Sequence, residues 1–531
     1  MATLMLANWR TALLANWRAV LGLLVLGSIT SSVTRRIYAW YRLRHIKGPF
    51  WAAFSRWWLV RHVSGGTMHT DLYEVNEKYG PLARIGPDTL VTCDPDLLRR
   101  MLGVRTNYRR SDWYVAMRLD PSRDNVLSQR DDTRHNELRA KMAAGYSGKE
   151  VENLEKRIDH CVLKLVDLIE RKYISTDSEY KPLDFGRKAQ YFTLDVISNV
   201  AFGEPFGFLE SDSDVHRYIQ TTEENLPAII LVSVLPWLNG ALQSPLLKSL
   251  LPSEKDPIGL GKIIGCVFSV PGLPFSLIHW YLTDPAVLCR IAKKVVAERF
   301  GPDRKVQRDM LGSFIAHGLT QREAESETLV QILAGSDTTA TALRGTLLHI
   351  LTSPRVHARL LAEIESARPS TPIRDAEAKQ MPYLQAVIKE GLRIFPPVTG
   401  LMSKDVPKGG DTFNGLYIPD GTKIGYCAWG LFRNKEIWGE DAAVFRPERW
   451  LEAAPEKIRE REATLELVFS YGRWQCLGKN VALIELNKVY VELLRRFDLC
   501  VADPTNPWKS FNTGIFMQSE MWIRASKKAD A

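Results

Sequence analysis

The stretch FSYGRWQCLG, Phe469 to Gly478, decides how the chain is to be read. One cysteine, Cys476, stands between Gly472 and Gly478, behind Phe469 and just ahead of an apolar-periodic run. Gly472 permits a tight turn and Gly478 a close backbone approach, because glycine carries no Cβ. Val481, Ile484, Leu486, Val489, Leu493, Leu494 and Phe497 recur at helical spacing, which predicts a helix from just past Gly478 to about Phe497. A thiol ahead of a helix N-terminus meets free N–H groups and the positive end of the helix dipole, and both favour the thiolate. Phe469 and Trp474 supply apolar cover. A shielded thiolate on a loop is what a haem iron takes as an axial ligand. Trp474, two residues ahead of the cysteine, is the feature this reading leaves open.

Three further strings fit a haem site. AGSDTT, Ala334 to Thr339, lies inside a long apolar-periodic stretch. Ala334 and Gly335 are small enough for a helix to lie against a flat macrocycle, and the Thr338 hydroxyl can bond back to the Ala334 carbonyl and open the helix. In KEGLRIFPP, Glu390 and Arg393 share one helix face. An exposed pair would count for little, but the apolar setting and Pro396-Pro397 argue for burial. RHNELRAKMAAGYS, 134–147, puts His135 and Arg139 on one face. Buried anions need such donors, although an exposed basic face would show the same spacing.

Together these strings resemble the cytochrome P450 family. Phe469, Gly472, Cys476 and Gly478 match its signature F-x-x-G-x-[RH]-x-C-x-G, while Trp474 stands at the basic position and Arg473 one place earlier. GRWQCLGKN is similar to a fungal subgroup that includes pisatin demethylase-like enzymes. The resemblance covers about residues 45–525. It implies a mainly α fold with a small β region: one large domain, 45–531, behind an N-terminal membrane anchor and basic flank, 1–44. It implies haem b with Cys476 on the iron, and Asp337 with Thr338 as an acid–alcohol pair for proton delivery. Glu390, Arg393 and Arg449 (in FRPERW) become a structural triad under the haem loop. His135 and Arg139 become propionate contacts, with Lys404 a weaker candidate. Ala334, Gly335, Phe469, Gly472, Arg473 and Gly478 complete the cofactor set. With Trp474 at the basic position, the charge-neutralising burden shifts to Arg473, His135 and Arg139. By the same analogy Trp113, Tyr114, Ile332, Ala334, Val398-Thr399-Gly400, Ile515 and Phe516 line the substrate pocket, though each is equally suited to plain core.

The activity so implied is a monooxygenase acting on a lipophilic small molecule, by hydroxylation or oxidative demethylation, in fungal secondary metabolism. The alternatives on the same scaffold are an O2-independent isomerase or dehydratase and a non-catalytic haem-binding protein; Asp337 and Thr338 disfavour both. No G-x-G-x-x-G stands in a strand–turn–helix context, so electrons are expected from a membrane-bound NADPH-dependent reductase. Arg473 and Lys479 could meet its acidic face.

Composition narrows the classes. A net charge of +9 over 531 residues suits an acidic partner or an anionic membrane, and no zinc spacing or aromatic RNA-binding motif points to nucleic acid. The seven cysteines form no C-x-x-C and no framework, which suits a reducing compartment. LLANWRAVLGLLVLGSITSSV, 13–33, approaches the ~20 apolar residues of a membrane span. Arg35, Arg36, Arg42, Arg44 and Lys47, with Tyr38, Trp40 and Tyr41, read as its cytosolic boundary, giving a signal anchor in the endoplasmic reticulum. LANWR occurs twice, at 6–10 and 14–18, and is assigned no function. Residues 226–285 are apolar but broken by Pro and Gly, as either core or a membrane-touching lid. Two strands and a helix capped by Asp94 are expected over 79–102, helices dominate 133–367, turns fall at Asn414-Gly415 and Asp420-Gly421, and a last hairpin covers 513–524.

Overall fold

The structure is a computed structural model in which residues 17–119, 123–238 and 286–528 are described. Its first helix, α1, runs Trp17–Leu43. No helix among the described residues is long and apolar enough to cross a membrane. The expected span over 13–33 is not supported in its described part, and 13–16 lie outside the described residues. Arg18 is the second residue of the helix, and Ser28, Thr30, Ser31, Ser32 and Thr34 dilute it just before Arg35 and Arg36. Of the expected lid, helix Tyr218–Ser233 forms the start, while 239–285 lie outside the described residues, as does most of the LANWR repeat.

Five helices position the site: α2 (Asp132–Tyr146), α3 (Phe185–Phe202), α4 (Gln321–Leu351), α5 (Pro382–Ile394) and α6 (Lys479–Leu494). Helix α4 begins at a capping box. The Thr320 hydroxyl accepts from the Glu323 N–H at 3.3 Å, and the Glu323 carboxylate accepts from the Thr320 N–H at 2.9 Å. Residues on every side of α4 are buried, as a central helix requires. It packs against α3, α5 and α6, and one apolar core runs through all of them.

The small β region includes a five-stranded sheet: β1 (Leu82–Arg84), β2 (Thr89–Thr92), β3 (Arg109–Arg110), β4 (Lys404–Asp405) and β5 (Lys423–Tyr426), in the order β1-β2-β5-β4-β3. Only β2 and β5 run parallel. The β3–β4 register sets Arg110 directly opposite Lys404. The expected turn at Asn414-Gly415 joins a hairpin, with φ of 48° and 76°. At the C-terminal end the single hairpin expected over 513–524 is two features. Lys509–Asn512 pairs with Phe516–Ser519, and Trp522–Lys527 leaves to pair with Phe497–Val501 and Leu183–Asp184.

Asp94 caps helix Pro95–Leu102 as the sequence predicts, accepting from the Asp96 and Leu97 N–H groups at 2.9 and 3.0 Å. The far end of this helix supports the cysteine loop, described below. Asp94→Ala is expected to lose about 1 kcal/mol of unfolding free energy and Asp94→Asn to recover most of it, as measured by chemical denaturation.

Candidate functional site

The site rests on a buried charge cluster. Glu390 and Arg393 stand one turn apart on α5, and both, with Arg449, have fully buried side chains. Arg393 donates Nε to Glu390 Oε2 at 2.9 Å and Nη2 to Oε1 at 2.8 Å. Arg449 Nε donates to Oε1 at 2.8 Å, Trp450 Nε1 to Oε2 at 2.9 Å, and the Arg446 N–H to Oε1 at 2.9 Å. Burial alone would raise the Glu390 pKa, but the guanidiniums and this N–H together hold it below the ordinary carboxylate range. The remaining guanidinium donors bind the carbonyls of Phe432, Trp438, Asp441, Ala442 and Val444, which gathers the meander 432–450 around one carboxylate.

Arg461 carries this order onward, donating to the Arg449 carbonyl at 2.8 Å and the Ile437 carbonyl at 3.1 Å. Its helix, Pro455–Leu465, leads into the turn Glu466–Phe469 and then the cysteine loop. The Cys476 N–H closes that loop on the Phe469 carbonyl at 2.8 Å. Gly472 has φ +60°, and a Cβ there would lie 2.5 Å from the Leu102 carbonyl oxygen, so glycine is required twice over. Gly478 is the N-cap of α6. A Cβ on it meets, among described atoms, only Cys476 Sγ at 3.9 Å, so the expected close backbone approach is not seen. The Cys476 side chain is exposed, yet dense protein around it pushes its pKa up. The N–H groups of Gly478 and Lys479 and the Arg139 cation pull the other way.

Helix α4 crosses the same region. Ala334 is exposed although its helix runs through the core, and Thr338 Oγ1 donates to the Ala334 carbonyl at 2.9 Å. Glu327, Ala334 and Thr338 fall on one face by helical spacing. Tyr146, at the end of α2, has its pKa raised by burial first, and then by Glu327 and Cys476. Gly335 points elsewhere. A Cβ there would approach Ile197 Cγ1 to 2.9 Å, so Gly335 serves the contact of α4 with α3 rather than a macrocycle. Asp337 also faces α3. Its Oδ1 accepts from Gln190 Nε2, Gln190 Oε1 accepts from Arg344 Nη2 at 3.0 Å, and Oδ2 has no partner. Burial pushes the Asp337 pKa up to about 7, with Arg344 opposing.

Around Trp474 the structure rearranges the expected propionate contacts. Arg473 donates to the Val104 carbonyl and pairs with Asp132 at 3.2 Å, and Lys479 pairs with Glu466. Neither is a free cation for a partner's acidic face. His135 packs on Trp474 at 4.4 Å between ring centroids, and burial followed by Arg110 lowers its pKa to about 3, so it is neutral. Lys404 Nζ lies 3.4 Å and the Arg110 guanidinium carbon 4.3 Å from the centre of the Trp474 ring. Lys404 Nζ, Arg110 Nε, Arg473 Nε and Trp474 Nε1 are buried without hydrogen-bond partners. No motif marks Arg110; only its pairing with Lys404 across β3 and β4 reveals it.

The pocket candidates divide. Trp113, Tyr114 and Ile515 belong to one apolar cluster, and Val398 is bridged to Ile515. Tyr114 donates to the Met402 carbonyl at 3.1 Å. Thr399 is tied by its hydroxyl to Asn512 Oδ1 at 3.1 Å. Ile332 and Phe516 sit in the main core, Phe516 against Phe395 at 4.4 Å.

The cytochrome P450 family model matches residues 47–250 and 291–522. The chain belongs to the cytochrome P450 family. Within that family it is a monooxygenase. It is 42% identical over 508 residues to the cytochrome P450 monooxygenase ABA1 of Pyricularia oryzae, covering 93% of this chain and 94% of that one. The monooxygenase aba1 of Botryotinia fuckeliana is 39% identical over 493 residues, covering 91% and 92%. Pisatin demethylase of Fusarium vanettenii is 28% identical over 478 residues, covering 88% and 87%.

The family implies haem, and the residues present fit it. A cysteine thiol beside helix N–H groups suits the iron, and orphaned buried cations beside Trp474 suit a macrocycle bearing two carboxylates.

Two predictions follow from the buried charges. Glu390→Gln strands two guanidiniums and is expected to lose about 3–5 kcal/mol of stability, read as lost folded yield and a lower unfolding midpoint. For Asp337, a pKa raised from 3.8 to about 7 means the native state binds the extra proton. That contribution is full below the unfolded value and is lost as pH rises through about 7. Asp337→Asn is therefore expected to flatten the decline of stability between about pH 4 and 7, measured by denaturation across that range.

Proposed function

We propose that this monooxygenase inserts one oxygen atom into a lipophilic small molecule, by hydroxylation or oxidative demethylation, in fungal secondary metabolism. The substrate C–H, O2, NADPH and a proton give the alcohol, water and NADP+. The observation that carries the reading is the Cys476 thiol just ahead of α6, with the Thr338 hydroxyl turned to the Ala334 carbonyl on α4, the helix that packs against α6. Haem held by Cys476 supplies the activation of O2. The protein's own residues do the rest. Thr338 turns its hydroxyl hydrogen to the Ala334 carbonyl, which leaves its oxygen free to accept. Asp337, with a pKa near neutrality, holds a proton one residue away. The half-buried Val398 and Ile515, beside Trp113 and Tyr114, supply apolar walls for the substrate.

Electrons are supplied by a separate NADPH-dependent reductase, consistent with the lack of a dinucleotide-binding motif in the chain. The setting is the cytosolic face of the endoplasmic reticulum membrane. Exposed Trp40, Tyr41, Phe50, Trp51 and Trp57, next to Arg35, Arg36, Arg42 and Arg44, support contact with that surface.

Expression with a reductase, followed by metabolite profiling with and without the chain, is expected to give an oxygenated product that needs NADPH and O2. Product formed without O2 would overturn the reading in favour of an isomerase or dehydratase. Thr338→Ala is expected to keep its haem spectrum and NADPH consumption while product falls and hydrogen peroxide rises. Cys476→Ala is expected to lose the thiolate-type absorbance of the reduced carbonyl complex.

A further inference from the structure

The family's usual cation two residues before the cysteine is replaced here by an indole, and the surroundings of that indole show what the replacement does. Arg110 and Lys404 are direct cross-strand partners, so two like charges stand opposite each other in the sheet. Both side chains are buried, and both reach the Trp474 ring, at 4.3 and 3.4 Å from its centre. Arg110 spends Nη1 on the carbonyls of Val126 and Gln129 and keeps Nε unpartnered. Lys404 Nζ has no partner, and neither has Trp474 Nε1. The carboxylate beside them, Asp132, is paired to Arg473 through Oδ2 and keeps Oδ1 open. Four donors, Lys404 Nζ, Arg110 Nε, Arg473 Nε and Trp474 Nε1, thus stand unpartnered around one indole, and they outnumber the open acceptor beside them, Asp132 Oδ1. Two opposed buried cations are relieved either by the lysine giving up its proton or by an anion that joins them, and only the second keeps both charges.

We propose that Trp474 is the positioning residue for the haem carboxylates in this chain, its ring holding the Lys404 and Arg110 cations by cation–π contact and its Nε1–H donating directly. The role of the missing basic residue is thereby divided between a neutral donor on the cysteine loop and two cations on the sheet. Arg473, the nearest basic residue in sequence, has both Nη groups held by Asp132 and the Val104 carbonyl, which leaves only its Nε open. The proposal rests on the chain binding haem through Cys476.

The test is the rate at which the holoenzyme gives up haem to an excess of apomyoglobin, followed at the Soret band. Lys404→Met and Arg110→Met each remove a charge-assisted bond and are expected to speed release about ten- to hundredfold. Trp474→Phe keeps a ring but removes the N–H, and a several-fold increase is expected. Lys404→Arg is expected to restore slow release, which a merely packing role for Lys404 would not require. Should Lys404→Met not fold, Trp474→Phe carries the test, since it preserves the ring. Parent-like release from Trp474→Phe, or from both Lys404→Met and Arg110→Met, overturns the proposal. A parent chain that takes up no haem, or shows no thiolate spectrum, overturns the haem reading itself and is distinguished by that spectrum.

Discussion

Glu390 is one carboxylate with no solvent contact, and the proximal half of the site hangs from it. Burying such a group is unfavourable unless every lone pair is used. Here two guanidiniums, an indole N–H and a backbone N–H use them. Two cations against one anion leave an excess charge, and Asp441, paired to Arg449 at 3.1 Å, offsets it at the cluster's more open side. The result is geometric more than energetic. Planar guanidinium forks reach in fixed directions, so the carbonyls they bind are fixed too. Position passes from α5 to the meander, from Arg449 to Arg461, and so to the turn whose Phe469 carbonyl receives the Cys476 N–H.

A second buried charge cluster obeys the opposite logic. Around Trp474 the cations outnumber their acceptors, and four buried donor atoms stand unpaired. Desolvation, then Arg110, drives the Lys404 pKa well below its ordinary value. The two clusters share chemistry but differ in completeness. The Glu390 cluster is finished within the chain, as a structural anchor must be. The Trp474 cluster is unfinished, as a binding surface for an anion must be.

What the sequence made legible follows the reach of each interaction. Glu390 and Arg393 are one turn apart, and the Asp94 cap spans three residues, so local spacing announces both. The cysteine loop is equally local. Arg110 and Lys404 are invisible at that range, because only strand pairing sets them opposite. The surroundings of Arg473 and His135 are hidden for a related reason. Their types suit an anion, but tertiary partners pair the first and neutralise the second. Gly335 reads as a cofactor-facing glycine until Ile197 arrives from α3. The hairpin over 513–524 fails likewise, since a neighbouring sheet captures Trp522–Lys527.

The Asp337–Thr338 pair shows how one turn of helix holds two environments. Successive residues on an α-helix project about 100° apart, so neighbours in sequence cannot share a face. Thr338 falls on the Ala334 side, and its bond to that carbonyl competes with the helical ladder there. Asp337 falls on the α3 side, where Gln190 stands between its carboxyl and Arg344. Had Arg344 bonded the carboxylate directly, the acid would be held ionised and would have no proton to give. With the amide in between, Arg344 still opposes, but less than burial does. Burial then governs the carboxyl and brings its pKa near neutrality. Gln190 therefore orients the carboxyl and keeps it off the guanidinium, while its own hydrogen bond favours the ionised form too weakly to offset burial.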